Sequence, residues 1–160
     1  MGIEIEKKYL VVGETWRCLA TPIRYRQGYL SVNPEHTVRV RLSGESHGTL
    51  TIKGLTVGIT RPEFEYQIPA QDAEFMLNTL CQTPLIDKLR YRIPHENVVW
   101  EVDEFFGPNA GLVVAEIELR SENQVFTLPN WIGREVTDDP RYFNANLVCN
   151  PFSTWSKTLP

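Results

Sequence analysis

Cysteine and histidine are scarce in this chain of 160 residues, three of each, and the scarcity removes several chemistries at once. Cys18, Cys81 and Cys149 form an odd, widely separated set with no C-x-x-C pair. Such a set provides neither a disulfide framework nor a zinc cluster, and it fits a reducing compartment. His36, His47 and His95 stand apart from one another near proline, glycine or serine, as loop residues do, and none is assigned chemistry. Long apolar runs are missing as well. Nothing approaches the ~20 residues of a membrane span, and the acidic start holds no apolar stretch of the kind a secretion signal needs. The expected place is therefore the cytoplasm, with no membrane partner. Positive charge is not in excess either: a net charge of -4 and a pI of about 5.4 argue against nucleic acid as the main partner. Net charge does not report how the charges are arranged, and here the arrangement matters.

What the chain does have is alternation. Hydrophobic residues make up 42% of the sequence, enough for one core, and one domain is expected over residues 1–150 with a loosely held tail at 151–160. In a strand, residues two apart share a face at a spacing of about 6.6 Å. The opening GIEIEKKYLVV thus sets Glu4, Glu6 and Lys8 on one face and Ile3, Ile5, Tyr9 and Val11 on the other. The same grammar places Arg39 and Arg41 together in VRVRL and, after a glycine-flanked turn, Thr49, Thr51 and Lys53 together in TLTIKG, which reads as a hairpin. Arg61, Glu63, Glu65 and Gln67 oppose Phe64, Tyr66 and Ile68; Lys88, Arg90 and Arg92 oppose Leu89, Tyr91 and Ile93. Glu101 and Asp103 oppose Trp100 and Val102, and Glu116, Glu118 and Arg120 oppose Ala115, Ile117 and Leu119. Seven or eight antiparallel strands are expected, a mainly β (α+β) fold. Three helices interrupt them. Ala73, Met76, Leu77 and Leu80 recur at helical spacing behind Asp72; Ser121 to Gln124 has the form of a capping box opening a short helix; and Pro140, after Asp138 and Asp139, starts a last helix through about Val148.

One E-x-E on an exposed face of an antiparallel sheet is ordinary. Here, however, the signs are sorted by strand, with acidic pairs at 4/6, 63/65, 101/103 and 116/118 and basic groups at 8, 39/41, 53, 61 and 88/90/92. A solubility surface intersperses both signs, whereas a site that grips a polyanion through a cation gathers carboxylates in one place and Arg/Lys in another. The summed faces are nearly neutral, so the acidic pI does not exclude an anionic ligand. If the sheet closes with this face inward, the interior is stable only where charges find counterions, because an unpaired buried charge costs several kcal/mol.

In order along the chain, E-x-E-x-K at Glu4 to Lys8, R-x-R at Arg39 and Arg41, the lysine of TIKG, R-x-E-x-E at Arg61 to Glu65, K-x-R at Lys88 and Arg90, E-x-D at Glu101 and Asp103, and E-x-E at Glu116 and Glu118 resemble the CYTH, or triphosphate tunnel metalloenzyme, family. GREVTDDPRYFNANL resembles the closing segment of its compact bacterial members, whose final helix covers one tunnel end. The resemblance implies an eight-stranded antiparallel β-barrel forming a charged tunnel with a few flanking helices, and often a homodimer. It implies Mg²⁺ or Mn²⁺ held by Glu4, Glu6, Glu116 and Glu118, with Glu63, Glu65 and Asp103 as further or outer ligands. Lys8, Arg39, Arg41, Lys53, Lys88 and Arg90, with Arg61, would hold the phosphates. The catalytic set would be Glu116, Glu118 and Lys53, the lysine supporting the leaving pyrophosphate. The implied reaction is hydrolysis of inorganic tripolyphosphate to pyrophosphate and phosphate. The alternatives are an organic triphosphate such as ATP or thiamine triphosphate, a class IV-type adenylate cyclase, or a noncatalytic polyphosphate-binding module. Phe143 and Ala145 stand where some relatives carry lysines, and Arg134 and Arg141 are the candidates to replace them. Trp16, Trp100 and Trp131 are read as packing groups rather than as platforms for a base.

Overall fold

The computed structural model describes residues 2–156. Nine strands form one antiparallel sheet: β1 (Gly2–Val11), β2 (Ile23–Ser31), β3 (His36–Ser43), β4 (His47–Gly54), β5 (Thr60–Ile68), β6 (Ile86–His95), β7 (Val98–Phe105), β8 (Val113–Glu118) and β9 (Ile132–Glu135). Their order is β5-β4-β3-β2-β6-β7-β8-β1-β9, and a β1–β5 pairing closes the first eight into a barrel. β1 makes this closure by dividing its length. Gly2 to Ile5 pair with β5, Glu6 to Leu10 pair with β8, and beyond the barrel Tyr9 and Val11 pair with β9.

Alternation decides what faces in. Directly paired residues share a face, so Glu101↔Glu116↔Lys8 and Arg39↔Thr51↔Glu65 run around the interior. The neighbouring apolar residues point out and need cover. Tyr9, Tyr91, Ile93, Trp100, Val102, Ala115 and Ile117 form an outer core under Trp16 and Trp131 from the connecting segments. The rings meet edge to face, Trp16 with Tyr91 at 4.9 Å and Trp100 with Tyr9 at 5.4 Å, an arrangement that complements their quadrupoles. Trp16, Trp100 and Trp131 are therefore outside the tunnel. On the other side α1 (Ala70–Thr79) lays Ala73 and Leu77 over Val40 and Leu42. Gly48 permits that approach, because a Cβ there would lie 2.8 Å from the Ile68 carbonyl oxygen and 3.0 Å from Ala73 Cβ. A third cluster fills one end of the barrel: Tyr29, Ile86, Phe105 and Val114 pack against Tyr142 and against Leu147 and Val148 of α2 (Asn144–Cys149). The tunnel is thus stopped at that end by an apolar plug carried on α2.

Five expectations change. The sequence pattern missed β2, whose two faces both carry polar groups: Arg24 and Arg26 outward, Tyr25, Gln27 and Tyr29 inward. It also missed β9, four residues long. The helix expected at Ser121 is a turn: the Arg120 amide donates to Gln124 Oε1 at 2.6 Å and the Gln124 amide to the Ser121 carbonyl at 3.1 Å. No apolar repeat follows to drive burial, and Pro129 is too near. The last helix is split into a 3-10 turn at Pro140–Tyr142 and α2, with extended backbone at Phe143. Finally, residues 151–156 are packed down. The Phe152 amide donates to buried Asn109 Oδ1 at 2.8 Å, and Trp155 meets Tyr142 and Phe152 edge-on, each at 5.1 Å. Residues 157–160 of the expected tail lie outside the described residues. Among the described residues no helix is long and apolar enough to cross a membrane.

Candidate active site in the barrel tunnel

The inward residues enclose a cavity of about 750 Å³ lined by Glu4, Glu6, Lys8, Arg39, Arg41, Lys53, Arg61, Glu63, Glu65, Lys88, Arg90, Glu116 and Glu118. Every residue assigned from the sequence to metal, phosphate or catalysis lines it except Asp103, Arg134 and Arg141, and Asp103 lies directly behind, fully buried. β3, β4 and β6 supply arginine and lysine, while β1, β5, β7 and β8 supply carboxylates.

Most charges are paired across strands. Lys8 Nζ lies 2.7 Å from Glu116 Oε1 and 2.9 Å from Glu6 Oε1. Lys53 Nζ donates to both oxygens of Glu4, at 2.6 and 2.8 Å, and lies 3.0 Å from Glu63. Burial disfavours the charge on each lysine, but Glu116 and Glu6 raise Lys8 and Glu4 raises Lys53, so both remain ammonium ions. Asp103 takes a bidentate contact from Arg90, Nε to Oδ1 and Nη2 to Oδ2 at 2.7 Å each, while Lys88 Nζ donates to its Oδ2 at 2.7 Å. Both oxygens of Asp103 are therefore taken by cations. Its carboxyl lies below the usual range, since Arg90 and Lys88 outweigh the effect of burial. Held in this way, the carboxylate anchors the basic wall from behind the cavity. Lys88 is pushed down to about 8 by burial, with Asp103 opposing and the Arg90 charge adding to the fall.

Two poles stay unbalanced. At the basic pole, the carboxylate within ion-pair range of Arg39 and Arg41 among the described residues is Glu65, at 3.8 and 3.7 Å, and the Nε of each is buried with no hydrogen-bond partner there. Arg41 is pushed down to about 10 by burial and by the charges of Arg39 and Arg90. The Tyr25 ring takes two guanidinium groups, Arg41 at 4.9 Å and Arg90 at 5.1 Å from its centroid, a cation–π arrangement that eases the crowding of positive charge. At the acidic pole, Glu6 is pushed up to about 7 by burial and by Glu116, with Glu4 adding to the rise. Glu118, at the tunnel mouth, is raised by burial and by Glu4 and Glu63. The remaining predicted groups fall outside this pattern. Arg61 donates to the Gly54 carbonyl and to Thr37, Arg92 is exposed beside Glu101, and Arg141 turns away to pair with Asp139 over Trp155.

Sequence reasoning missed Tyr25, Gln27 and Tyr29 with their strand, and Asn144 with the break before α2. An inward-facing Y-x-Q-x-Y at Tyr25 to Tyr29 was the available signal.

Among the described residues no three His, Cys, Asp or Glu side chains converge closely enough to hold a cation unaided, because lysines stand between the carboxylates. The donor set nevertheless fits a hard divalent ion. It is oxygen-only, and its acidic pole holds more negative charge than the neighbouring lysines neutralise.

Comparison with known proteins places these features. The CYTH domain model matches residues 2–146. An inorganic triphosphatase of Acetivibrio thermocellus is 52% identical over 157 residues, covering 98% of this chain and 100% of that protein. An inorganic triphosphatase of Nitrosomonas europaea is 37% identical over 156 residues, covering 91% of this chain and 96% of that protein. Among solved structures, a crystal structure of an inorganic triphosphatase superposes with a TM-score of 0.62 at 32% identity, covering 92% of this chain and 95% of that one.

Proposed function

This chain belongs to the CYTH family, and we propose that it is an inorganic triphosphatase, hydrolysing tripolyphosphate to pyrophosphate and phosphate with Mg²⁺ or Mn²⁺. The observation that carries the reading is the pair of unbalanced poles facing one cavity, Arg39 and Arg41 with buried, unbonded Nε donors against crowded Glu6 and Glu118. A metal-loaded polyphosphate satisfies both, whereas an anion alone would leave the carboxylates repelling it. The two curated relatives carry the same activity in their names.

Glu4, Glu6, Glu116 and Glu118 would hold the cation, with Glu63 and Glu65 beside them. When bound, the cation supplies neutralisation of phosphate charge and activation of the attacking water. The basic wall holds the chain of phosphates in line: Arg39 and Arg41 offer free Nε–H donors, and Arg90 and Lys88 are fixed in advance by Asp103. Water attacks the terminal phosphorus, the bridging P–O bond breaks, and pyrophosphate departs with the electron pair. Lys53, held charged between Glu4 and Glu63, supports the growing negative charge on the leaving oxygen.

Tripolyphosphate is favoured over a nucleotide because the three large outer rings, Trp16, Trp100 and Trp131, are buried in the outer core, and Tyr25 is already engaged by two guanidinium groups. The cytoplasm is the proposed location, supported by three unpaired cysteines. A homodimer would use the uncharged outer face where Ile3, Ile52, Phe64 and Tyr66 are exposed.

The test is phosphate release from tripolyphosphate with Mg²⁺, Mn²⁺ or chelator, beside ATP at matched concentration. Metal-dependent release, with ATP slower, is the expected result. Silence on tripolyphosphate with turnover of ATP would replace this reading with an organic triphosphatase or a cyclase, and binding without any turnover would replace it with a noncatalytic module.

A further inference from the structure

The plugged end of the tunnel carries a hydrogen-bond chain with an unusual defect. Gln27 of β2 is fully buried, and its Nε2 donates to Asn144 Oδ1 at 3.0 Å. The same oxygen accepts from Lys88 Nζ at 3.1 Å. Lys88 has only protons to offer, so it dictates the orientation of both amides. Asn144 must turn its oxygen to the ammonium, and Gln27 must turn its NH₂ to that oxygen. The consequence for Gln27 is an Oε1 that is buried with no partner. A side chain needed only for packing would not accept that defect, since leucine or methionine fills the same space without it.

The consequence for Asn144 is the reverse. Its Nδ2 finds no acceptor among the described residues, yet it is not among the buried unpartnered atoms. Asn144 is half-buried and lines the cavity, so this N–H is the donor it has left to offer a ligand there. Its neighbours in the closing segment offer no equivalent: Thr137 spends its hydroxyl on Glu135 at 2.7 Å and Arg134 does not line the cavity. Phe143 and Ala145 have no side-chain donor, Asn146 spends its Nδ2 on the Pro140 carbonyl at 2.8 Å, and Arg141 faces outward on Trp155.

We propose that Asn144 is the terminal phosphate contact of the tunnel: its Oδ1 positions Lys88, its Nδ2 donates to the phosphate oxygen that reaches the plugged end, and Gln27 acts through it as a positioning residue. The proposal rests on the triphosphatase reading and deepens it by naming where the phosphate chain stops.

Asn144→Asp separates the contact from simple structure. The variant keeps an oxygen for Lys88 and Gln27 and almost the same shape, but it replaces the free donor with a carboxylate oxygen. Expected are a rise of tenfold or more in KM for tripolyphosphate with kcat changed less than threefold, and a matching loss of tripolyphosphate affinity in rapid-mixing experiments with Mg²⁺ present. The melting temperature should stay close to that of the wild type. Gln27→Leu should raise KM at least threefold alone and add less than twofold on the Asn144→Asp background, because it acts only through Asn144. KM and affinity within twofold of wild type in Asn144→Asp would overturn the contact. Independent, multiplying effects of the two substitutions would overturn the role given to Gln27. A wild-type protein that neither binds nor hydrolyses tripolyphosphate would sink the triphosphatase reading and this inference together, whereas normal wild-type turnover with an unaffected Asn144→Asp variant would sink this inference alone.

Discussion

Asp103→Asn is the substitution whose consequences follow most directly from the geometry. Asp103 has 0% exposure and receives three charge-assisted hydrogen bonds, two from Arg90 and one from Lys88, each 2.7 Å long. Asparagine keeps the shape but removes the negative charge, leaving two buried cations whose remaining carboxylate contacts are Glu101 and Glu116, both bound to Arg90 at longer range, 3.2 and 3.5 Å. Breaking a buried pair by deleting one partner costs about 3–5 kcal/mol, because the surviving charge stays desolvated. For a domain of this size that is a fall in melting temperature of roughly 6–20 °C. The measurement is urea unfolding of both proteins in chelator, so that no cation contributes. A metal-ligand role for Asp103 predicts the opposite in chelator, since removing one of several crowded carboxylates relieves repulsion. A stability loss below about 1 kcal/mol, the scale of an exposed ion pair, would refute the argument that this carboxylate is structural. Tripolyphosphate offers a second reading of the same energetics. By bringing negative charge to Arg90 and Lys88, it should raise the melting temperature of Asp103→Asn by more than that of the wild type.

The other consequences are simpler. Arg39→Ala removes a guanidinium whose Nε has no protein partner, so stability should change little. KM for tripolyphosphate should rise roughly 10- to 100-fold, the scale of losing a charged hydrogen bond, and unchanged steady-state kinetics would remove Arg39 from the anion site. Glu118→Ala should abolish metal-dependent phosphate release while circular dichroism stays native, because this exposed mouth carboxylate has no ion pair among the described residues to lose; near-normal activity would sink the assignment of Glu118 to the cation. Tyr25→Phe should be kinetically silent, since it is the ring rather than the hydroxyl that meets Arg41 and Arg90. Tyr25→Ala should raise KM several-fold, and equal effects of the two would show that the hydroxyl matters instead. Trp155→Ala loses two ring contacts and the Nε1 bond to the Asn150 carbonyl. At this half-buried position a cost of about 1–3 kcal/mol is expected, visible in a thermal melt.

The legible part of the fold was the part with one charged face. β1, β3 to β8 and the inward position of their charges follow from period-two alternation, because closing such a sheet leaves each residue only two directions to point. β2 was not legible because Arg24 and Arg26 bear charge on its outer face while Tyr25, Gln27 and Tyr29 bear polar groups inside. Hydropathy cannot tell which side of such a strand is wet. The capping-box signature at Ser121 failed for a different reason. A local motif supplies one or two hydrogen bonds, and without an apolar stripe to bury beyond it the segment gains nothing by continuing as a helix. The site residues were legible as a set, yet pairing was not. Nothing in K-x-R and E-x-D tells that Asp103 is enclosed by Lys88 and Arg90 while Glu6 is left crowded, since that depends on the register between β6 and β7.

That register explains how a barrel can keep charge inside at all. Lys8, Lys53, Lys88 and Arg90 each sit within hydrogen-bonding distance of a carboxylate on a neighbouring strand, so the walls stand without ligand. The cost of a polar interior is concentrated at Arg39 and Arg41 on one side and at Glu6 and Glu118 on the other. These are also the groups a ligand must satisfy. A protein arranged this way should gain stability steeply when cation and polyanion arrive together and little from either alone, since the cation leaves the Nε donors of Arg39 and Arg41 unbonded and the anion faces the crowded carboxylates. Differential scanning fluorimetry with Mg²⁺, with tripolyphosphate and with both would measure that coupling. Additive shifts would mean that the two poles do not share one ligand, and would remove the argument on which the proposed function stands.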